Sequence, residues 1–444
     1  MMAEDSVARI LRLAKEHDVK FVRLWFTDIL GFLKSSEITL RELRDALESG
    51  KGFDGSSVEG LARLEESDLI AKPDLTTFAL MPWSTDGGKV ARLFCDLYET
   101  DGRPHMGDPR GALKRVLARA AAMGYRFNVG PELEYFYFRS AKGTPEVVDE
   151  GGYFDLTPKD VASDLRRETA LLLEDMGIGV ECVHHEVAPS QHEIDLRYDD
   201  ALAIADHIMT LRLAVKEVAL RHGLYATFMP KPLFGQNGSG MHLHMSLSKD
   251  GRNAFFDPND RYHLSKVAYQ FTAGILRHVC EFTAITNQWV NSYKRLVPGY
   301  EAPVYISWGQ RNRSALVRVP RYKEGRESAT RIEFRAPDPA CNPYLALAVI
   351  LAAGLRGIER GYEIPSPVDD NIYEMQPEVQ EARGIGSLPG NLYAAILLAE
   401  KSDLVRDALG DHLFQKFIAN KKIEWEQYRI HVTQFELDRY LSIL

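Results

Sequence analysis

Residues 130–138 read GPELEYFYF, and the alternation in this stretch decides the fold. Successive side chains of an extended strand point to opposite faces. Glu132 and Glu134 therefore share one face, while Leu133, Tyr135 and Tyr137 share the other. QHEIDLRY (191–198) repeats the design with Glu193, Asp195 and Arg197 against Ile194 and Leu196. MHLHMSLS (241–248) sets His242, His244 and Ser246 against Met241, Leu243, Met245 and Leu247, and TRIEFRAP (330–337) sets Arg331, Glu333 and Arg335 against Ile332 and Phe334. Any one of these reads as a half-exposed strand of an antiparallel sheet with its polar face in water. Taken together they read differently. Solvent faces mix Lys, Thr, Ser and Glu, whereas these hold Glu, His and Arg with hardly a Lys among them.

Gathered on one sheet, Glu132, Glu134, Glu193 and Glu333 repel one another unless positive charge sits between them. Oxygen ligands with a single imidazole suit Mg²⁺ or Mn²⁺ better than zinc or copper. Arg295, Arg311, Arg313, Arg318, Arg331 and Arg335 follow within a short span, and guanidinium groups bind carboxylate and phosphate bidentately. Carboxylate-held metals beside arginines are what phosphoryl transfer between anions requires. The common nucleotide and protease motifs are missing from the sequence: neither G-x-x-x-x-G-K-[ST], nor G-x-G-x-x-G opening a helix after a strand, nor H-E-x-x-H occurs.

Outward from this face, the 444 residues leave room for one small and one large domain or up to three. A hydrophobic content of 45% with 26% charged residues excludes collagenous, coiled-coil and largely disordered classes. The net charge of −9 gives no overall field for nucleic acid or an anionic membrane. Cys95, Cys182, Cys280 and Cys341 are scattered with no C-x-x-C, which argues against a zinc knot or disulfide framework and for a reducing, cytoplasmic setting. The amphipathic start carries no secretory pattern, and YLALAVILAAGL (344–355) is too short to cross a bilayer and reads as a buried helix. The expected fold is α+β. A sheet-rich unit with an opening helix near Val7 to His17 fills residues 1–103, and a larger unit fills 104–444. Helices are expected over 109–123, 158–176 (with Val161, Leu165, Leu172 and Met176 on one stripe), 201–222 and 264–286.

FDGSS (53–57), GPELEYF (130–136), HHEVAPSQHEID (184–195), KPLFGQNGSGMHLHMS (231–246), NSYKRLVPGYEAP (291–303), RNRS (311–314) and RIEFRAPDPACNPYLA (331–346) resemble class I glutamine synthetase, in family order and over nearly the whole chain. The resemblance implies a small N-terminal β-grasp domain and a large catalytic domain with a curved antiparallel sheet flanked by helices. It also implies two stacked six-membered rings of subunits, with active sites between neighbours in a ring. Glu134, Glu186 and Glu193 match the family's first metal position, and Glu132, His242 and Glu333 its second, so at least two Mg²⁺ or Mn²⁺ ions per subunit are expected. Asn237, Gly238, Arg295 and Arg335 match the glutamate contacts. Glu181, His244, Ser246, Arg313, Arg318 and Arg331 match positions around ATP, and Arg313 is also counted with the glutamate and catalytic residues. The strand parity of Glu181 differs from that of Glu186.

Asp54 resembles the residue a neighbouring subunit supplies to bind ammonium and take its proton. Glu301 resembles the flap carboxylate that closes over the site. The implied reaction is two-step: glutamate attacks ATP to give γ-glutamyl phosphate and ADP, then ammonia displaces phosphate to form glutamine. A γ-glutamyl-amine ligase accepting a polyamine on the same fold is the other reading. Tyr373 in NIYEMQPE lies near the tyrosine that the longer subgroup adenylylates, but the residues after it differ. The chain looks like the shorter subgroup, whose feedback-associated arginine Arg63 matches; a salt bridge to Glu65 or Glu66 is the structural alternative for that residue.

Overall fold

VKFVRLWFT (Val19–Thr27) is dense in β-branched and aromatic residues and forms the first strand, β1, after helix α1 (Met2–Glu16). The computed structural model describes residues 2–58, 60, 68–83, 87–312 and 314–444, so Arg63 and Arg313 lie outside the described residues. Strand β1 turns into β2 (Leu33–Thr39) around Asp28, whose Oδ1 accepts the N–H groups of Leu30 at 3.0 Å and Phe32 at 2.9 Å. Helix α2 (Leu43–Ser49), β3 (Lys51–Asp54), β4 (Asp68–Pro73), β5 (Ala79–Leu80) and β6 (Lys89–Glu99) complete the N-terminal unit. Its sheet runs β2-β1-β6-β4-β3, parallel only between β1 and β6, with β5 on β6.

Helix α3 (Pro109–Ala122) opens the larger unit, capped by Asp108 through the N–H of Arg110. The strands that follow are β7 (Arg126–Phe138), β8 (Val180–His185), β9 (Gln191–Leu196), β10 (Asp199–Asp200), β11 (Tyr225–Thr227), β12 (Met241–Lys249), β13 (Arg252–Asn253), β14 (Tyr305–Gly309), β15 (Ala315–Arg318), β16 (Ile332–Phe334) and β17 (Gly386–Ser387). They form one sheet in the order β17-β14-β15-β16-β12-β7-β9-β8, with β10 and β11 on β7 and β13 on β12, antiparallel apart from β14 with β15. Helices α4 (Ser163–Asp175), α5 (Ala201–Arg221), α6 (Lys266–Thr286), α7 (Ser292–Arg295) and α8 (Pro343–Arg360) cover its apolar face. The C-terminal helices are α9 (Pro377–Ala382), α10 (Leu392–Glu400), α11 (Asp403–Leu409), α12 (Asp411–Arg429) and α13 (Gln434–Tyr440).

The apolar run at 344–355 is the buried helix expected of it, and α6 packs along α8 so closely that only glycine fits. A Cβ on Gly274 would sit 2.1 Å from the carbonyl oxygen of Ala353, and one on Gly357 would sit 2.0 Å from that of Gln270. Helix α4 begins at Ser163, five residues later than the apolar stripe suggested. Asp160 turns inward, where Arg166 binds it at 3.0 Å, and Val161 is left 57% exposed ahead of the helix.

Polar side chains lock the two units together. Asn342 caps α8 through the N–H groups of Tyr344 and Leu345, and its amide donates to the carbonyls of Asp28 and Ile29 in the β1–β2 turn. Buried Arg110 binds Asp74 at 2.8 Å and Asp96 at 2.6 Å in the first unit and Asp206 at 2.9 Å on α5. Among the described residues, no helix is long and apolar enough to cross a membrane.

Candidate active site

Register turns four sequence patterns into one surface. Glu132 on β7 lies opposite His242 on β12 and Asp195 on β9, and Glu134 lies opposite Glu193. On β8, Cys182 lies opposite Asp195 and His184 opposite Glu193. His244 lies opposite Glu333 on β16, which lies opposite Arg318 on β15. This face is not a wet one. Glu134, Glu193 and Glu333 are buried beneath a cavity of about 480 Å³, while Leu133, Tyr135, Ile194, Leu243 and Phe334 pack the opposite side.

Hydrogen bonds set the direction of each group. Glu132 accepts from His242 Nδ1 at 3.0 Å and His244 Nε2 at 2.7 Å, and Arg331 Nε donates to His244 Nδ1 at 3.1 Å, which fixes the His244 tautomer. Glu333 is held between Arg335, which donates at 2.5 Å, and Arg318. Glu134 Oε2 accepts from Gln191 Nε2 at 2.8 Å and from the Gly240 N–H at 3.0 Å. A Cβ on Gly240 would come within 2.7 Å of Arg295 Nη2 and 3.1 Å of Glu134 Oε1, so glycine is what lets this strand end approach.

The charges are unbalanced in a telling way. Burial works to raise Glu132 and Glu333, but the histidines outweigh it at Glu132, and Arg335 with His242 outweighs it at Glu333; both carboxyls lie below their ordinary range. Burial, then the charge of Glu134, pushes Glu186 up to about 9 and Glu193 well above its usual value. Burial and Glu132 hold Asp195 at about 7, and its Oδ1 is buried with no hydrogen-bond partner. Crowded carboxylates short of positive charge are a donor set that fits divalent cations. Glu132, His242 and Glu333 each offer a ligand atom within 4.8 Å of the others, and so do His184, Glu186 and Glu193. Glu134 is not in that second group; Gln191 and the Gly240 N–H hold its Oε2, and its Oε1 faces the site 3.9 Å from His242 Nε2.

Asn237, Gly238, Arg295, Glu301, Arg318 and Arg335 line the same cavity. Arg295 is buried and donates to the carbonyls of Ala336 at 2.7 Å and Arg335 at 3.2 Å. Arg335 Nε is a buried donor without a partner, available to an anion. Glu301 has φ of 61° on an exposed loop and accepts from Asn237 Nδ2 at 3.3 Å, while the neighbouring Tyr300 ring lies under the Lys231 ammonium. A second cavity of about 320 Å³ shares Glu132 and Asp195 with the first and is lined also by Glu181, His244 and Arg331. A register shift between Val180 and Cys182 turns Glu181 toward it, which accounts for the parity difference along β8. Ser246 does not line these two cavities; its hydroxyl meets that of Tyr198, which lines the second, at 2.5 Å.

Asp54 ends β3 on the surface, outside the lining of both cavities, with its Oδ1 accepting from the Ser56 N–H and hydroxyl. Tyr373 donates its hydroxyl to the Ala302 carbonyl at 2.8 Å. Cys182, His184, Gln191, Tyr153 and Phe154 also line the first cavity, although the sequence reading assigned them no role, and so does Asp195, which alternation places on the polar face with Glu193.

A family model described as the glutamine synthetase catalytic domain matches residues 106–440, and one described as its beta-grasp domain matches residues 18–100. This chain belongs to the glutamine synthetase family. Glutamine synthetase of Staphylococcus aureus strain MW2 is 52% identical over 437 residues, 98% of this chain and 97% of that one. Glutamine synthetase of Clostridium saccharobutylicum is 51% identical over 444 residues, covering 99% of this chain and all of the relative. Among solved structures, a GmaS/ADP complex aligns with a TM-score of 0.88 at 34% identity, covering 97% of this chain and 99% of that one. Plasmodium falciparum glutamine synthetase aligns at 0.87 and 28% identity, covering 98% of each chain. The 444-residue length fits the family's shorter class I type, and the family is oligomeric and uses ATP with divalent metal ions.

Proposed function

We propose that this chain joins ammonium to L-glutamate with ATP, giving L-glutamine, ADP and phosphate through γ-glutamyl phosphate. The observation that carries the reading is the buried face on which Glu132, Glu134, Glu193, His242 and Glu333 meet the edge formed by Arg295, Arg318 and Arg335. Glu186 and Glu193, with Glu134 beside them, would hold one Mg²⁺ or Mn²⁺, and Glu132, His242 and Glu333 would hold another; such ions would supply the positive charge that phosphoryl transfer needs.

Asn237, the Gly238 backbone, Arg295 and Arg335 hold glutamate. Glu181, His244, Ser246, Arg318 and Arg331 position ATP, and Arg313 serves both substrates. The γ-carboxylate oxygen of glutamate attacks the γ-phosphorus as the bond to ADP breaks, and arginines already in place neutralise the spreading charge without reorganisation. Asp54 from a neighbouring copy takes a proton from ammonium; ammonia then attacks the acyl carbon, and the C–O bond breaks as phosphate leaves with the proton lost by the attacking nitrogen. Glu301 closes over the site and keeps water from the acyl phosphate, which would otherwise hydrolyse.

The working assembly is a dodecamer of two stacked six-membered rings in the cytoplasm, with the chain divided between residues 103 and 104, and Arg63 takes part in feedback inhibition by glutamine. A γ-glutamyl-amine ligase is not favoured, since the relatives at 51–52% identity are glutamine synthetases. Hydroxylamine, a neutral stand-in for ammonia, tests the activated intermediate. The account expects γ-glutamyl hydroxamate from glutamate only with ATP, and its loss in Glu193→Ala with far-UV circular dichroism unchanged. Hydroxamate formed without ATP, or undiminished in that variant, contradicts it.

A further inference from the structure

The carboxylate-rich face continues past the residues used above. At its β8 edge, Cys182 and His184 stand two residues apart on one side of the strand, directly across from Asp195 and Glu193. The register shift at Glu181 produces this pairing, since it sets Cys182 opposite Asp195. A sulfur, an imidazole nitrogen and a carboxylate oxygen from Cys182, His184 and Asp195 all lie within 4.8 Å of one another. Cys182 is exposed at the cavity wall, so an ion can enter, and Asp195 Oδ1 is buried without a hydrogen-bond partner.

We propose that Cys182, His184 and Asp195 form a third cation site, sharing the His184 imidazole with the His184–Glu186–Glu193 group, that takes zinc and inhibits the enzyme when filled. Sulfur and nitrogen donors select a borderline-soft ion, whereas the neighbouring sites, built mainly of carboxylates, suit hard ones. Three protein ligands leave a coordination position for water, and the thiol proton goes to solvent as sulfur binds. The inhibitory effect follows from sharing: His184 Nε2 lies 3.2 Å from Glu193 Oε1, and the ion draws the imidazole away from that carboxylate. The binding claim stands on geometry alone and is tested without the reaction, so its failure is separable from failure of the glutamine synthetase reading.

The test uses the full chain in saturating Mg²⁺, with Co²⁺ as the spectroscopic probe for zinc. Co²⁺ should produce a thiolate-to-cobalt charge-transfer band that zinc bleaches, that Cys280→Ser keeps and that Cys182→Ser loses. Asp195→Asn should keep the band but weaken binding by at least the roughly 10–100-fold that loss of a supporting outer partner costs. Absence of a thiolate band, or a band surviving Cys182→Ser, overturns the site. Zinc should inhibit glutamine formation at lower concentration in the parent than in Cys182→Ser, each measured against its own uninhibited rate; equal sensitivity overturns the inhibitory role.

Discussion

Gln191 is buried at the start of β9, and its single amide ties three parts of the site together. Its Nε2 donates to Glu134 Oε2 at 2.8 Å and to the Gly238 carbonyl at 3.0 Å, and its Oε1 accepts from the Ala188 N–H at 3.1 Å. Gln191→Leu keeps the volume and removes all three bonds. The bond to the charged carboxylate contributes about 1.5–3 kcal/mol. At about 1.4 kcal/mol per tenfold, Glu134 should then be held roughly 10–100-fold less well for metal binding. That range matches the cost of losing an outer partner of a metal ligand, about 10–100-fold. The assay is a Mg²⁺ titration of ATP-dependent glutamine formation, paired with direct Mn²⁺ binding by calorimetry. The half-saturating concentrations should rise together by that factor, with a smaller effect on the KM for ATP. An unchanged metal requirement in a folded Gln191→Leu protein refutes the claim that this amide aims Glu134.

Arg110→Met leaves Asp74, Asp96 and Asp206 without their shared cation and should cost roughly 3–5 kcal/mol at neutral pH by chemical denaturation. Burial raises Asp74, but Arg110 outweighs it and holds the folded value below the unfolded one. Its contribution is therefore full above the unfolded value and lost as pH falls through the folded value, so the deficit of the variant should shrink below about pH 4. Asp54→Ala and Arg335→Ala, each inactive alone, should regain some activity when mixed and reassembled; no rescue in confirmed hybrids would place Asp54 outside a neighbour's site. Helix α13 and the residues after it expose Phe435, Leu441, Ile443 and Leu444, each of which would contribute about 1.5–3 kcal/mol if buried against another subunit. Deleting 435–444 should lower the particle mass measured by light scattering while leaving activity in the remaining rings, and an unchanged mass would count against a tail contact between rings.

The polar face was legible because GPELE, QHEIDLRY, MHLHMSLS and TRIEFRAP each alternate through their charged residues, and alternation survives into any antiparallel pairing. VECVHH does not alternate in that way, and a bulge interrupts it, so the directions of Glu181, Cys182 and His184 became visible only with the β8–β9 register. Gln191 was hidden for a different reason. An amide carries no charge signature, and its role comes from the loop after Pro230 returning Gly238 and Gly240 to the β7 edge. The start of α4 was misplaced because Val161 fits an apolar stripe in sequence, whereas burial of Asp160 against Arg166 outranks it. Asp54 could be named from its motif, while within the single chain it ends β3 outside the lining of both cavities.

The most direct test of the central claim is a product assay with purified protein, glutamate, ATP and Mg²⁺, offering ammonium in parallel with methylamine and a polyamine. The account predicts glutamine from ammonium at the highest rate, with ADP and phosphate released in equal amounts and all turnover stopped by excess chelator. No glutamine from ammonium beside efficient ligation of a larger amine, or full activity in chelator, would contradict it.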